Sequence, residues 1–161
     1  MPRLAFLPWF WLGAALLFAV VVAPAAFAVL PSRALAGLLV GRVLPVLFWS
    51  GAVVGACMLP TSAGWRRLAA LVLLASSLGA QLGVAPRIQR LRAALGPDLE
   101  GVAITDARRV AFGRLHAVSV ALLGAGMLGA AALALVPLFS ARVSGTPDAP
   151  GVTPQHDSTR R

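Results

Sequence analysis

The chain has 161 residues, 59% of them hydrophobic and 12% charged, and carries a formal net charge of +9. Acidic residues number five and lysine is absent, too few polar groups to cover the surface of a soluble domain of this size, so the bilayer is the expected solvent. The arginines fall between and after the apolar runs instead of on one soluble basic face, which points to lipid headgroups and away from nucleic acid.

The first apolar run covers about 7–30. At roughly 1.5 Å per residue it exceeds a hydrocarbon core of about 30 Å. Trp9 and Trp11 stand at its start, where indole rings favour the headgroup boundary, Pro24 is expected to kink its last turns, and Pro31 closes it. A cleaved signal peptide is the competing reading, because Arg3 precedes the run and Ala26-Phe27-Ala28 has the small-residue pattern of a cleavage site. A signal core is only about 7 to 15 residues long, so the run reads as a retained first span.

The second span is expected over about 35–59, interrupted by Arg42 and Pro45 and ended by Pro60-Thr61-Ser62-Ala63-Gly64, a string of turn formers. Cys57 stands alone within it, so no internal disulfide forms and the usual metal-ligand pairs are missing. The third span follows Trp65-Arg66-Arg67 and is expected over about 68–86, where Pro86 and then Arg87, Arg90 and Arg92 mark the edge of the lipid. A solvated connection comes next, containing Gly96-Pro97, Asp98 and Glu100. Thr105 or Asp106 is the candidate N-cap of a helix whose apolar part covers about 112–139. From 143 to 161 the chain is Gly, Pro, Thr, Asp and Ser with little to bury, the composition of a disordered tail. No internal repeat is evident, and the expectation is an all-α, four-transmembrane-helix bundle over 1–142 as a single domain.

Small residues four apart occur in the later spans: Gly37 and Gly41, Gly51 and Gly55, Gly79 and Gly83, Ala125 and Gly129. They are expected to let helices pack closely, within one chain or between copies in a homo-oligomer. With four spans both termini share a side, together with Arg3, Arg66, Arg67 and Arg142. Arg33, Arg42, Arg87, Arg90, Arg92, Arg108, Arg109 and Arg114 fall on the other side, a bias that predicts termini outside.

His116 is the leading candidate for a functional residue, since an ionisable side chain at the start of an apolar span usually faces a bundle interior or a wet cavity and can hold metal or haem or relay a proton. The alternative is a structural hydrogen bond to a neighbouring helix. Ser119, one turn on, is expected to share its helix face, and Arg42 and Gln81 complete a candidate polar pocket. Arg42 has the alternative of snorkelling to the headgroups, and Gln81 that of a hydrogen bond across the bundle. Hydrolases and ATP-driven pumps are disfavoured by the lack of a phosphate loop, a nucleophile–base–acid set or a carboxylate in any span. Proton-coupled transport is disfavoured because Asp98, Glu100, Asp106, Asp148 and Asp157 all fall in connections or tail.

The order Trp11-Leu12-Gly13, Ala23-Pro24, Phe27, Leu30-Pro31, Ala36-Gly37 and Val40-Gly41-Arg42, then Pro86-Arg87-Ile88 and Phe112-Gly113-Arg114-Leu115-His116-Ala117-Val118-Ser119, resembles the transmembrane protein 205-like family over about 9–135. The last stretch is similar to that family's F-x-x-L-H-x-x-S. The resemblance implies four membrane helices and a retained first helix but brings no established reaction. Bacterial members are mostly domains of unknown function, and the all-arginine, Ala-, Gly- and Pro-rich usage is what a GC-rich genome tends to encode, so the expectation is a bacterial protein of the inner membrane. The wider group is similar to copper-resistance D type membrane domains and haem-biosynthesis membrane proteins, which use histidines for metal or haem. Here the second histidine, His156, lies in the tail, so a haem site would need a second subunit or another ligand, with Met58 and Met127 as soft candidates. The expectation is a small membrane-embedded binding, transport or scaffold component without a predicted cofactor; the alternative is a haem- or metal-linked oxidoreductase using His116.

Overall fold

The computed structural model describes residues 4–95, 103 and 105–143, the side chains of 136–143 excepted. Four helices are long and apolar enough to cross a membrane: α1 (Leu7–Val29), α2 (Arg33–Met58), α3 (Trp65–Leu95) and α4 (Ala107–Val143, apolar to Leu135). The fold is all-α, as composition and periodicity imply. The helices run up and down around a ring in which α2 and α3, α3 and α4, and α1 with both α2 and α4 are neighbours, leaving α2 and α4 on one diagonal.

Two of the helices change pitch, each just ahead of a proline, whereas α2 carries Pro45 within an unbroken α-helix. A π-helical segment, Phe18–Val22, stands just before Pro24, and a second, Gly79–Val84, stands just before Pro86. A proline ring clashes with the carbonyl four residues earlier and offers no N–H to it; widening the turn to the i→i+5 pattern moves that carbonyl aside. The third helix therefore continues as a helix past 86, the expected end of its span, through Arg87, Arg90 and Arg92 to Leu95. The fourth also begins earlier than its apolar part, at Ala107. These added turns lie together at the same end of the bundle.

The helix ends follow from local chemistry. Leu30 is extended ahead of Pro31, and Ser32, also extended, accepts a hydrogen bond from the Leu35 N–H at 3.2 Å to cap α2. Gly64 has φ +55°, a conformation rarely open to other residues, and turns the chain into α3 at Trp65. Of the two candidate caps for α4, Asp106 serves, its Oδ1 accepting from the Arg108 N–H at 2.8 Å.

The interior is built from small side chains and a few large ones. Ala15, Ala36, Ala70 and Ala130 are fully covered, beside Trp11, Phe48 and Leu73. Phe10, Val20, Val29, Val46 and Leu128 point outward. That inversion is what an apolar solvent permits, because lipid removes the drive to hide large side chains and leaves close packing as the selector. The glycine pairs divide accordingly. A Cβ on Gly55 would lie 2.9 Å from the Leu74 nitrogen, and one on Gly129 would lie 2.8 Å from the Ala69 carbonyl oxygen, so these positions hold α2 and α4 against α3 within one chain.

Candidate functional site

A buried polar layer runs through the bundle, and it begins at Trp11. Trp11 occupies the same stripe of α1 as Ala15 and Phe18, at the i, i+4, i+7 spacing of one helix face, and all three are buried. Only 2% of it is exposed, so this indole packs inside the bundle and does not face outward, whereas Trp9 stays half in the open. Trp65, at the start of α3, is exposed at the same membrane face as Trp9. The Trp11 indole Nε1 donates to the Leu47 carbonyl at 2.9 Å, and the Ser50 hydroxyl donates to the same oxygen at 2.9 Å. The ring fills the space left by two glycines, since a Cβ on Gly51 would lie 2.8 Å from it and one on Gly126 3.3 Å. Ser77, fully buried, and Ser76, which donates to the Leu73 carbonyl at 3.2 Å, border the same space.

The four residues of the expected polar pocket are not gathered into one. Arg42 and His116 are both exposed, on helices that lie on a diagonal of the bundle, so they stand on different outer sides of it. Ser119 turns inward and is buried, one turn from His116 but off its face. Gln81 lies in the π-helical part of α3, with its Oε1 buried and without a hydrogen-bond partner among the described residues. A Cβ on Gly79 would meet Leu122, and this antiparallel register puts Gln81 and Ser119 at a similar depth, about halfway along their helices. Neither soft candidate approaches His116: Met127 lies eleven residues further along α4, about 16 Å, and Met58 ends α2 at the opposite membrane face. No group of three or more His, Cys, Asp or Glu side chains able to hold a metal occurs among the described residues.

Sequence reasoning gave Arg92 only a topological role. In the fold it is partly buried, its Nη1 donating to the Gly37 carbonyl at 3.1 Å while its guanidinium lies 5.7 Å from the centroid of the Phe112 ring. A Cβ on Gly37 would sit 2.8 Å from this guanidinium, so the small-residue pair Gly37 and Gly41 seats an arginine and does not form a helix–helix contact face. Arg92 thereby ties α2, α3 and α4 together at the end where α3 and α4 carry their added turns. At the start of α4 Asp106 accepts both a backbone and a side-chain hydrogen bond from Arg108, with a 3.0 Å ion pair, and the Arg108 side chain holds the Asp106 carboxyl below its usual range.

No curated protein and no solved structure matches the chain. Residues 6–96, which include α1, α2 and α3, match the family described as Domain of unknown function (DUF4149), and as they form more than half of the chain, this multi-pass membrane protein belongs to that family.

Proposed function

We propose that the protein is a non-enzymatic, membrane-embedded binding or scaffold component, and that the polar layer around Trp11 locks its bundle without opening a route through it. The observation that carries this reading is the Trp11 indole, hydrogen-bonded to Leu47 and wedged against Gly51 and Gly126. Transport through a single bundle would require that ring to move, breaking its hydrogen bond in a medium without water to replace it. The outward faces offer the contact surface instead: only 17% of the most apolar part of α1 is buried within the chain.

The finer assignments accompany this reading. The similarity to the transmembrane protein 205-like pattern continues beyond residue 96 through the Phe112–Ser119 stretch, and with it goes a bacterial inner-membrane location. The arginine bias favours termini outside. The domain ends near 142, and the expected tail, 143–161, falls almost wholly outside the described residues. Haem or metal held through His116 is the competing reading, and the exposed position of His116 on α4 gives it no enclosed pocket within one chain.

The test is detergent-purified protein beside its His116→Ala variant, measured for absorption spectrum and metal content, then sealed into vesicles loaded with small ions and solutes. The expected result is identical spectra and retention equal to that of empty vesicles. A haem band or stoichiometric metal lost in His116→Ala would install the redox reading, and accelerated release from wild-type vesicles would install transport.

A further inference from the structure

We infer that Arg42, Arg87 and Arg114 form a collar at one membrane boundary that binds the phosphate groups of acidic phospholipids. The three stand on three different helices, α2, α3 and α4, and all three are exposed. Each lies at a similar distance from the end of its helix at the same face of the bundle. Arg42 is nine residues from Arg33, Arg87 eight from Leu95 and Arg114 seven from Ala107, which is about 10 to 14 Å in each case. Measured the other way, to Met58, Trp65 and Leu135, the separations are about 24 to 33 Å, close to a hydrocarbon thickness of about 30 Å. The contact of Arg92 with Gly37 and Phe112 fixes this register, since Arg42 and Arg87 are each five residues from it towards the membrane. The guanidinium groups therefore emerge where the phosphates of a leaflet lie.

Their surroundings leave them available for such a ligand. Arg42 and Arg114 have no hydrogen-bond partner among the described residues, and a Cβ on Gly113, beside Arg114, would meet nothing within 4 Å. Arg87 directs one Nη to the Gly83 carbonyl and remains exposed. His116, exposed two residues deeper than Arg114, adds a further hydrogen-bonding group to the α4 side. Acidic competition is small: the carboxylate at this end among the described residues is Asp106, paired with Arg108, and Asp98 and Glu100 fall in the connection outside them. A guanidinium presents paired donors that match two phosphate oxygens, and arginine is the residue suited to that contact. At the hydrocarbon edge each cation also needs a counter-charge, and an anionic headgroup supplies it without a protein partner. The collar requires the membrane-spanning fold but is independent of whether the chain serves as a scaffold.

The experiment is lipid retention by the full chain. Wild-type protein, Arg42→Gln, Arg114→Gln, the triple Arg42→Gln/Arg87→Gln/Arg114→Gln and an opposite-end control, Arg66→Gln/Arg67→Gln, are reconstituted in vesicles of equal phosphatidylcholine and phosphatidylglycerol. They are then extracted in mild detergent, and the bound phospholipids are counted by native mass spectrometry. Wild type and the control should retain phosphatidylglycerol over phosphatidylcholine. Each single variant should lose about fivefold of that preference at low salt, the effect of one cation beside an anionic leaflet. The triple variant should show no preference. Equal retention of both lipids by wild type, an undiminished preference in both single variants, or an equal loss in the opposite-end control would overturn the collar. Displacement of the lipid by millimolar inorganic phosphate would show a site for free anions instead. The single variants alter exposed side chains and keep the test decisive if the triple variant fails to fold.

Discussion

Gly129→Ala is the sharpest probe of how the bundle is held, because the same helix supplies its own control. In α4 the added methyl would lie 2.8 Å from the Ala69 carbonyl oxygen, 3.1 Å from the Leu73 nitrogen and 3.4 Å from the Leu73 Cβ. The first two are backbone atoms of α3, so no rotamer change relieves them, and the helices have to separate by several tenths of an ångström. Separation on that scale weakens neighbouring contacts along the interface, each worth about 0.1–0.2 kcal/mol, in a medium where packing supplies much of the association. Overpacking of this kind costs about 1–3 kcal/mol, against which the better helix propensity of alanine returns up to about 1 kcal/mol. At Gly124, five residues earlier, an added Cβ meets nothing within 4 Å, so only the favourable term operates. Unfolding in mixed micelles of mild detergent and dodecyl sulfate, followed by tryptophan fluorescence, should put Gly129→Ala below wild type by about 1–2 kcal/mol and Gly124→Ala at or above it. A Gly129→Ala variant as stable as Gly124→Ala would refute the close α3–α4 approach.

Two further predictions follow from the site. Trp11→Phe keeps an aromatic ring against Gly51 and Gly126 but loses the hydrogen bond to the Leu47 carbonyl, and should cost about 0.5–1.5 kcal/mol by the same unfolding assay, against about 3–5 kcal/mol for Trp11→Ala. Asp106 has a lowered pKa in the fold, chiefly through its side-chain hydrogen bond with Arg108, so its cap should stabilise α4 above the ordinary carboxyl value of 3.8 and lose that effect as pH falls through the folded value. The melting temperatures of wild type and Asp106→Ala should therefore differ at pH 6 and converge towards pH 3; a gap that widens on acidification would contradict the cap.

Much of the architecture was legible in the chain because it rests on composition and on one-dimensional length. Runs of apolar residues long enough for a bilayer, arginines between them and turn formers at 60–64 are sufficient to specify an all-α membrane protein with four spans. What a proline does within such a run was less legible. Pro86 reads as the end of the span, yet the π turn at Gly79–Val84 lets the helix continue, because the geometry of the preceding turn, absent from the residue string, determines the outcome.

The candidate site was the least legible part, because it depends on which way each side chain faces. His116 and Arg42 stood out as ionisable groups in apolar surroundings, and only the packing of α2 and α4 on a diagonal sends them to separate outer faces. Gln81 and Ser119 were equally visible as polar residues, but their similar depth follows from the antiparallel register of α3 and α4. Trp11 looked like a boundary anchor beside Trp9, although its spacing to Ala15 and Phe18 already carried the signal of a buried stripe. Sequence alone thus determined that this is a multi-pass membrane protein with four helices fit to span a bilayer, since length and apolarity sum over residues irrespective of neighbours. Tertiary structure decided which glycines join helices, which one seats Arg92 and which arginines stay exposed on the bundle surface, since those depend on distances between helices remote in sequence.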